Sequence, residues 1–240
     1  MGAPLGREYL MQKQAIKDRL LLMSGHVESM IGDSMHALTH HDVSLARQTA
    51  AHDVFVNRLE IDVDSRCVAA LARFHPVASE LRFLTLALKM VTDLERLGDL
   101  AANICERVHE LPQPAGPFSW DRATRMGRLS QQMAHSAVSA FLDMDAERAH
   151  RVIEKDAEVD RLYVEFFDHV SDAMRKEPQS MRAGIHALSI GKWLERMADH
   201  GTNLAEHAVF LARGEDVRHP GSQHLSQGPS LPDNKIVSSG

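Results

Sequence analysis

Two stretches of the chain set carboxylates at a helical spacing and then repeat the arrangement: Leu94-Glu95-Arg96-Leu97-Gly98-Asp99 and Leu194-Glu195-Arg196-Met197-Ala198-Asp199. The copies lie 100 residues apart, and each continues with an asparagine (Asn103, Asn203) and then a glutamate (Glu106, Glu206) at matching positions. Acids four apart on one helix repel each other, so a chain that carries such a pair twice has a use for something positive beside it. Hard cations suit the donors: Mg²⁺, Mn²⁺, Ca²⁺ and ferric iron accept several carboxylate and amide oxygens at once.

The elements that hold these acids follow from the same repetition. Asp42, Ala46, Asp53 and Asn57 match Asp145, Ala149, Asp156 and Asp160 at a constant offset of 103, so the second copy is three residues shorter before its motif. Periodicity and punctuation predict a helix from about Arg7 to Thr39. A second is capped by Asp42 and stopped at His75 by Pro76, and a third runs from about Val77 to Glu110. The stretch from Pro112 to Pro117 breaks the chain. A fourth helix then starts near Ser119, a fifth is capped by Asp145 and ends at Pro178, and a sixth starts near Ser180. Short connections favour antiparallel neighbours. The expected fold is all-α, two tandem three-helix bundles related by internal duplication: a first bundle over 1–111, a linker over 112–118, a second bundle over 119–214 and a disordered tail over 215–240.

At about 100° per residue, Glu95, Asp99, Asn103 and Glu106 fall in a strip about 80° wide, with Leu94, Leu97, Ala101, Ile104 and Val108 on the other side. Folding at Pro76 makes the pairs Asn57 with Glu95 and Asp53 with Asp99 equidistant from the turn, hence level across an antiparallel pair. In the second half Asp160 with Glu195 and Asp156 with Asp199 are equidistant from the Glu177–Pro178 break. Each half therefore builds a four-residue oxygen box. Zinc held by thiolates or imidazoles fits less well, since only His200 adjoins a box and no Cys-X-X-Cys occurs. The competing reading is an ordinary solvated helix face, in which Arg96 and Arg196 are flanking salt-bridge formers rather than contacts for a partner. Among the 15 histidines no pairing with acids recurs between the halves. A di-iron oxidase would need Glu-X-X-His on two helices, and Glu106 with His109 has only Val209 after Glu206 in the second copy.

The stretches Asp93 to Arg107 and Trp193 to His207 resemble the two signature motifs of the PhoU family of phosphate-transport regulatory proteins, and the segments His75 to Arg82 and Phe210 to His219 are also similar to it. The resemblance covers about Tyr9 to His219. It implies metal clusters on the bundle surface, with Asp53, Asn57, Glu95 and Asp99 as ligands in one half and Asp156, Asp160, Glu195 and Asp199 in the other. The ions expected are divalent or trivalent: Mg, Mn, Fe or Zn. It also implies a non-enzymatic negative regulator of phosphate uptake and of the phosphate-starvation response, linking the ATPase subunit of the phosphate ABC transporter to a sensor histidine kinase, with a homodimer as one assembly state. Two departures stand out: Asn57 removes one negative charge from the first box, and Leu100 stands where the second copy has His200.

Composition is consistent with this. The 240 residues are 44% hydrophobic, enough for a core, and the net charge of −6 repels nucleic acid. No apolar run approaches the ~18 residues of a membrane span, which together with the absence of a signal-peptide core predicts a cytoplasmic protein. The two cysteines, Cys67 and Cys105, read as reduced core thiols. No activated nucleophile, glycine-rich phosphate loop or dinucleotide fingerprint is present. The alternatives from other classes are a metal-dependent hydrolase or oxidase working through the carboxylates, and a metal-free structural helical protein.

Overall fold

A computed structural model describes residues 6–112 and 116–214; the expected tail and part of the expected linker lie outside them. Among the described residues there are seven α-helices and no strand: α1 (Arg7–His40), α2 (Val43–Phe74), α3 (Ala78–Glu110), α4 (Asp121–Asp143), α5 (Ala146–Ile153), α6 (Asp156–Lys176) and α7 (Met181–Arg213), with a short 3₁₀ turn at Pro178–Ser180 before α7. The Asp42 carboxylate accepts from the Leu45 amide at 2.9 Å and the Asp145 carboxylate from the Arg148 amide at 2.9 Å. Both satisfy an amide that the first helical turn leaves unbonded. Ser119 does not cap α4 directly: Trp120 is the N-cap residue, and the Ser119 hydroxyl accepts from the Asp121 amide at 3.1 Å. At the first proline break His75 takes a left-handed conformation (φ 44°) before the buried Pro76.

The helix expected to run unbroken from Asp145 to Pro178 is divided into α5 and α6. The amides of Lys155 and Glu158 bond three residues back, to Val152 and Lys155, so the ladder tightens locally to a 3₁₀ pattern. The equivalent stretch of α2 is continuous, and nothing in the pattern of apolar residues distinguishes the two. The break places Asp156 in the first turn of α6.

Helices α1, α2 and α3 pack together, as do α4 to α7, and the two bundles meet through α1 against α4 and α3 against α7. Both contacts are antiparallel. Lys17 donates to the Leu142 carbonyl and Gln131 to the Glu28 carbonyl, while the Arg82 guanidinium lies over Phe210 and that of Arg107 over Trp193. One hydrophobic core runs through both halves. Leu94, Leu97, Ala101, Ile104 and Val108 are all fully buried in it, as the periodicity of α3 predicts.

A polar cluster fastens this seam. Asp93 on α3 meets three side chains of α7: His200 Nδ1 lies 2.8 Å from its Oδ1, His207 Nε2 3.2 Å from its Oδ2, and Asn203 donates to it at 3.4 Å. Burial alone would raise the Asp93 pKa, but the hydrogen bonds from His200 and His207 outweigh it and hold the carboxyl below its usual range. An Asp93→Ala protein loses the acceptor of His207, which is only 7% exposed. A stranded buried donor costs about 1–3 kcal/mol, so its thermal midpoint at pH 7 should fall by several degrees, at roughly 2–4 °C per kcal/mol for a chain of this size. Asp93→Asn, which keeps one acceptor oxygen, should lose less. Equal melting of all three proteins would show the cluster to be energetically idle.

Candidate metal centre

In the first half, Gly98 sets how closely α2 and α3 approach. A Cβ at this position would lie 3.3 Å from Asp53 Oδ1 and 3.3 Å from Val56 Cγ1. Asp53 is thus seated against the turn of α3 that carries Asp99, at the level that folding about Pro76 requires. Asn57 donates its amide to Asp53 Oδ2 at 2.8 Å, leaving Asp53 Oδ1 and Asn57 Oδ1 buried with no hydrogen-bond partner. Burial, followed by the charge of Asp99, raises the Asp53 pKa. Glu95 is raised by burial and then by Asp99, with Glu60 and Asp53 adding to it against Arg96. Asp53, Asn57 and Glu95 carry acceptors that burial has partly stripped of water, which is the condition a hard cation relieves. Arg96 offers partial compensation from outside, 3.5 Å from Glu95 and 3.7 Å from Asp99 with its side chain 57% exposed. Its role as a flanking ion-pair former is realised, at distances too long for hydrogen bonds.

The second half repeats the arrangement with different neighbours. The Asp156 pKa is pushed up to about 6 by burial and then by Asp160 and Asp199, with Glu195 a smaller contributor. Asp199, more exposed, is raised by burial and by Glu195, against the opposing charges of Lys192 and His200. Asp156 Oδ1 and the Thr202 hydroxyl are both buried; Thr202 sits close enough to favour the carboxylate without completing a hydrogen bond of ordinary geometry. Glu195 is bound by Lys192 at 2.6–2.7 Å, and the ammonium lies 5.6 Å from the centre of the Tyr163 ring.

All eight sequence-derived residues therefore fall on two α-helical seams, α2 with α3 and α6 with α7. They form open carboxylate faces: among the described residues no three His, Cys, Asp or Glu side chains are gathered into a finished cage for an ion. The donors fit a hard cation by type and by their unpartnered oxygens, and an ion would have to draw them together. Three neighbours escaped the sequence argument. Glu60, raised by burial, Asp64 and Asp99, belongs to the first face and restores the charge that Asn57 removes. Its counterpart in the repeat is Tyr163, so a search for duplicated acids passes over it, although it lies one turn beyond Asn57. Lys192 and Thr202 are specific to the second face for the same reason. Asn203 and His200, placed by sequence beside the second acids, turn instead to Asp93 across the seam.

Grooves of about 310 Å³ between α1 and α2, and of 290 and 440 Å³ between α1 and the second half, are lined by other residues than these eight. None of these three concavities serves the carboxylates as a reaction chamber, which is the arrangement a hydrolase or oxidase reading requires.

A family model described as the PhoU domain matches residues 20–108 and 123–208, one copy per bundle. The chain is 32% identical over 224 residues to the phosphate-specific transport system accessory protein PhoU homolog of Pseudomonas aeruginosa, covering 93% of each chain. It is 30% identical over 215 residues to the phosphate-specific transport system accessory protein PhoU of Escherichia coli K12, covering 89% of each. Its fold is similar to the crystal structure of PhoU from P. aeruginosa (TM-score 0.83, 32% identity, 86% of this chain and 100% of that one). It is similar also to that of the phosphate transport system regulatory protein PhoU from Streptococcus pneumoniae (TM-score 0.82, 26% identity, 88% and 100%).

The pKa of Asp156 carries a sign that can be measured. An acid raised from 3.8 to about 6 in the fold favours folding fully below pH 3.8, and that contribution is lost as pH rises through 6. Asp156→Asn should therefore melt higher than the parent at pH 7.5 in chelator and lose this advantage by pH 4. A variant that melts lower at both pH values would show that the carboxylate is not under strain.

Proposed function

The chain belongs to the PhoU family, and from that membership we propose that it is a regulator of phosphate transport whose two carboxylate faces bind cations and serve as docking surfaces. In this reading it restrains phosphate uptake and the phosphate-starvation response by connecting the ATPase subunit of a phosphate ABC transporter with a sensor histidine kinase, without catalysing a reaction. The observation that carries it is the doubled set of buried, unpartnered oxygens: Asp53 Oδ1 and Asn57 Oδ1 in one half, Asp156 Oδ1 in the other. A protein that needed these faces only for solubility would leave such atoms in water. The cations would be held by Asp53, Asn57, Glu95 and Asp99, and by Asp156, Asp160, Glu195 and Asp199, as Mg, Mn, Fe or Zn. They would supply positive charge to which acidic or phosphorylated groups of a partner can bind. No helix among the described residues is long and apolar enough to cross a membrane.

Elemental analysis of the purified protein tests the cation half of the proposal. Metal should exceed background in the parent, and Asp99→Ala and Asp199→Ala should each lose the ions of their own half. A parent protein at background would leave only a metal-free helical scaffold. For the regulatory half, deletion of the gene should raise expression of phosphate-starvation genes in phosphate-replete cells, read by transcript abundance; unchanged transcripts would remove the negative role.

A further inference from the structure

At the far end of α1 a different donor set is assembled. His36 and His40 lie one turn apart in the closing turns of this 34-residue helix, both exposed, with their rings stacked at 4.1 Å between centroids and 15° between planes. His40 Nδ1 is 3.0 Å from the His36 carbonyl oxygen. A carbonyl only accepts, so Nδ1 is the donor in this contact and Nε2 is the nitrogen that would bind a metal. Thr39 sits in the same turn, its hydroxyl donating to the Met35 carbonyl at 2.9 Å and lying 3.1 Å from His40 Nδ1. A backbone carbonyl that accepts from one ring nitrogen and so orients the other is the support that metal-ligating imidazoles ordinarily have. The C-terminal end of a long helix adds a field that favours a cation.

We propose that His36 and His40 form a two-imidazole site for a borderline transition cation, Zn²⁺, Cu²⁺ or Ni²⁺, separate from the carboxylate faces. Two histidines four apart on one helix present their nitrogens to a common point, and imidazole selects these metals over Mg²⁺ or Ca²⁺. Both rings are at the surface, so bridging an ion needs side-chain rotation and no movement of the backbone. The pair opens on a groove of about 290 Å³ whose other wall is built by Thr124, Arg128 and Gln131 of α4. Arg128 repels a bare cation, so the positions facing it would hold water or an anion. None of the eight carboxylate-face residues lines the groove.

The test uses tag-free full-length protein stripped with chelator. Zn²⁺ competition against a chromophoric chelator, and the electron paramagnetic resonance spectrum of one equivalent of Cu²⁺, are read for the parent, His36→Ala, His40→Ala, the double variant Asp99→Ala/Asp199→Ala and the control His52→Ala. The parent and the control should bind with nitrogen couplings in the Cu²⁺ spectrum. Either His36 or His40 substitution should weaken Zn²⁺ at this site by at least about tenfold and remove those couplings, while the double acidic variant keeps both. Zn²⁺ affinity and Cu²⁺ couplings that survive His40→Ala would overturn the proposal, as would their loss in the acidic variant with His36 and His40 intact. Substitution at two exposed positions leaves the core untouched, and unchanged melting of the variants confirms that the comparison is between folded proteins.

Discussion

Repulsion between carboxylates that the core forces into proximity is the constraint around which this molecule is built. Leu94 and Leu194 are fully buried at the start of each motif, and truncating such a residue costs about 2–5 kcal/mol. The apolar face of α3 or α7 therefore fixes helix rotation far more strongly than a pair of acids can resist it. Once that face is down, Glu95 with Asp99, and Glu195 with Asp199, must meet the acids of the neighbouring helix. Burial first, and then the neighbouring acids, raise the pKa values of Asp53, Glu95, Asp156 and Asp199. Perturbed acids gathered at two places on the same helices are what the proposed cation-binding faces rest on.

The halves solve the problem with different means. The first carries Glu60 and tempers its charge with Arg96 from the solvent side. The second has Tyr163 at the Glu60 position and an ammonium, Lys192, bound directly to Glu195. Between them the seam of α3 and α7 is joined by Asp93 and its two histidines, so the two faces belong to one rigid arrangement of helices rather than to beads on a string. Breaking a buried charge contact by removing one partner is expensive even where forming it gained little.

Much of this was legible in the residues. The proline breaks, the aspartate caps at Asp42 and Asp145, and the apolar strip of α3 are local, and each is governed by short-range rules that sequence displays. The level pairing of Asp53 with Asp99 was legible too, because antiparallel helices about a short turn leave little freedom in register. What escaped was whatever the repeat does not repeat. Glu60, Lys192 and Asp93 have Tyr163, Thr92 and Trp193 as counterparts, so duplication gave no signal for them. The division of α5 from α6 has no counterpart in α2, and the pattern of residues along the chain carries no mark of it. His200 illustrates the limit: adjacency to Asp199 suggested the box, but a rotation of 100° per residue sends its ring to the other bundle.

The Lys192 ammonium gives the second face a resident counter-ion on a flexible stem. Any ion arriving there competes with a charge that never diffuses away, whose effective concentration is set by its tether and not by the surrounding solution. The first face has only the half-exposed guanidinium of Arg96, held at longer range. If the two faces take up cations as proposed, ligand sets that differ by Asn57 against Asp160 and by their resident counter-charges would fill at different external ion levels, two thresholds on one duplicated backbone.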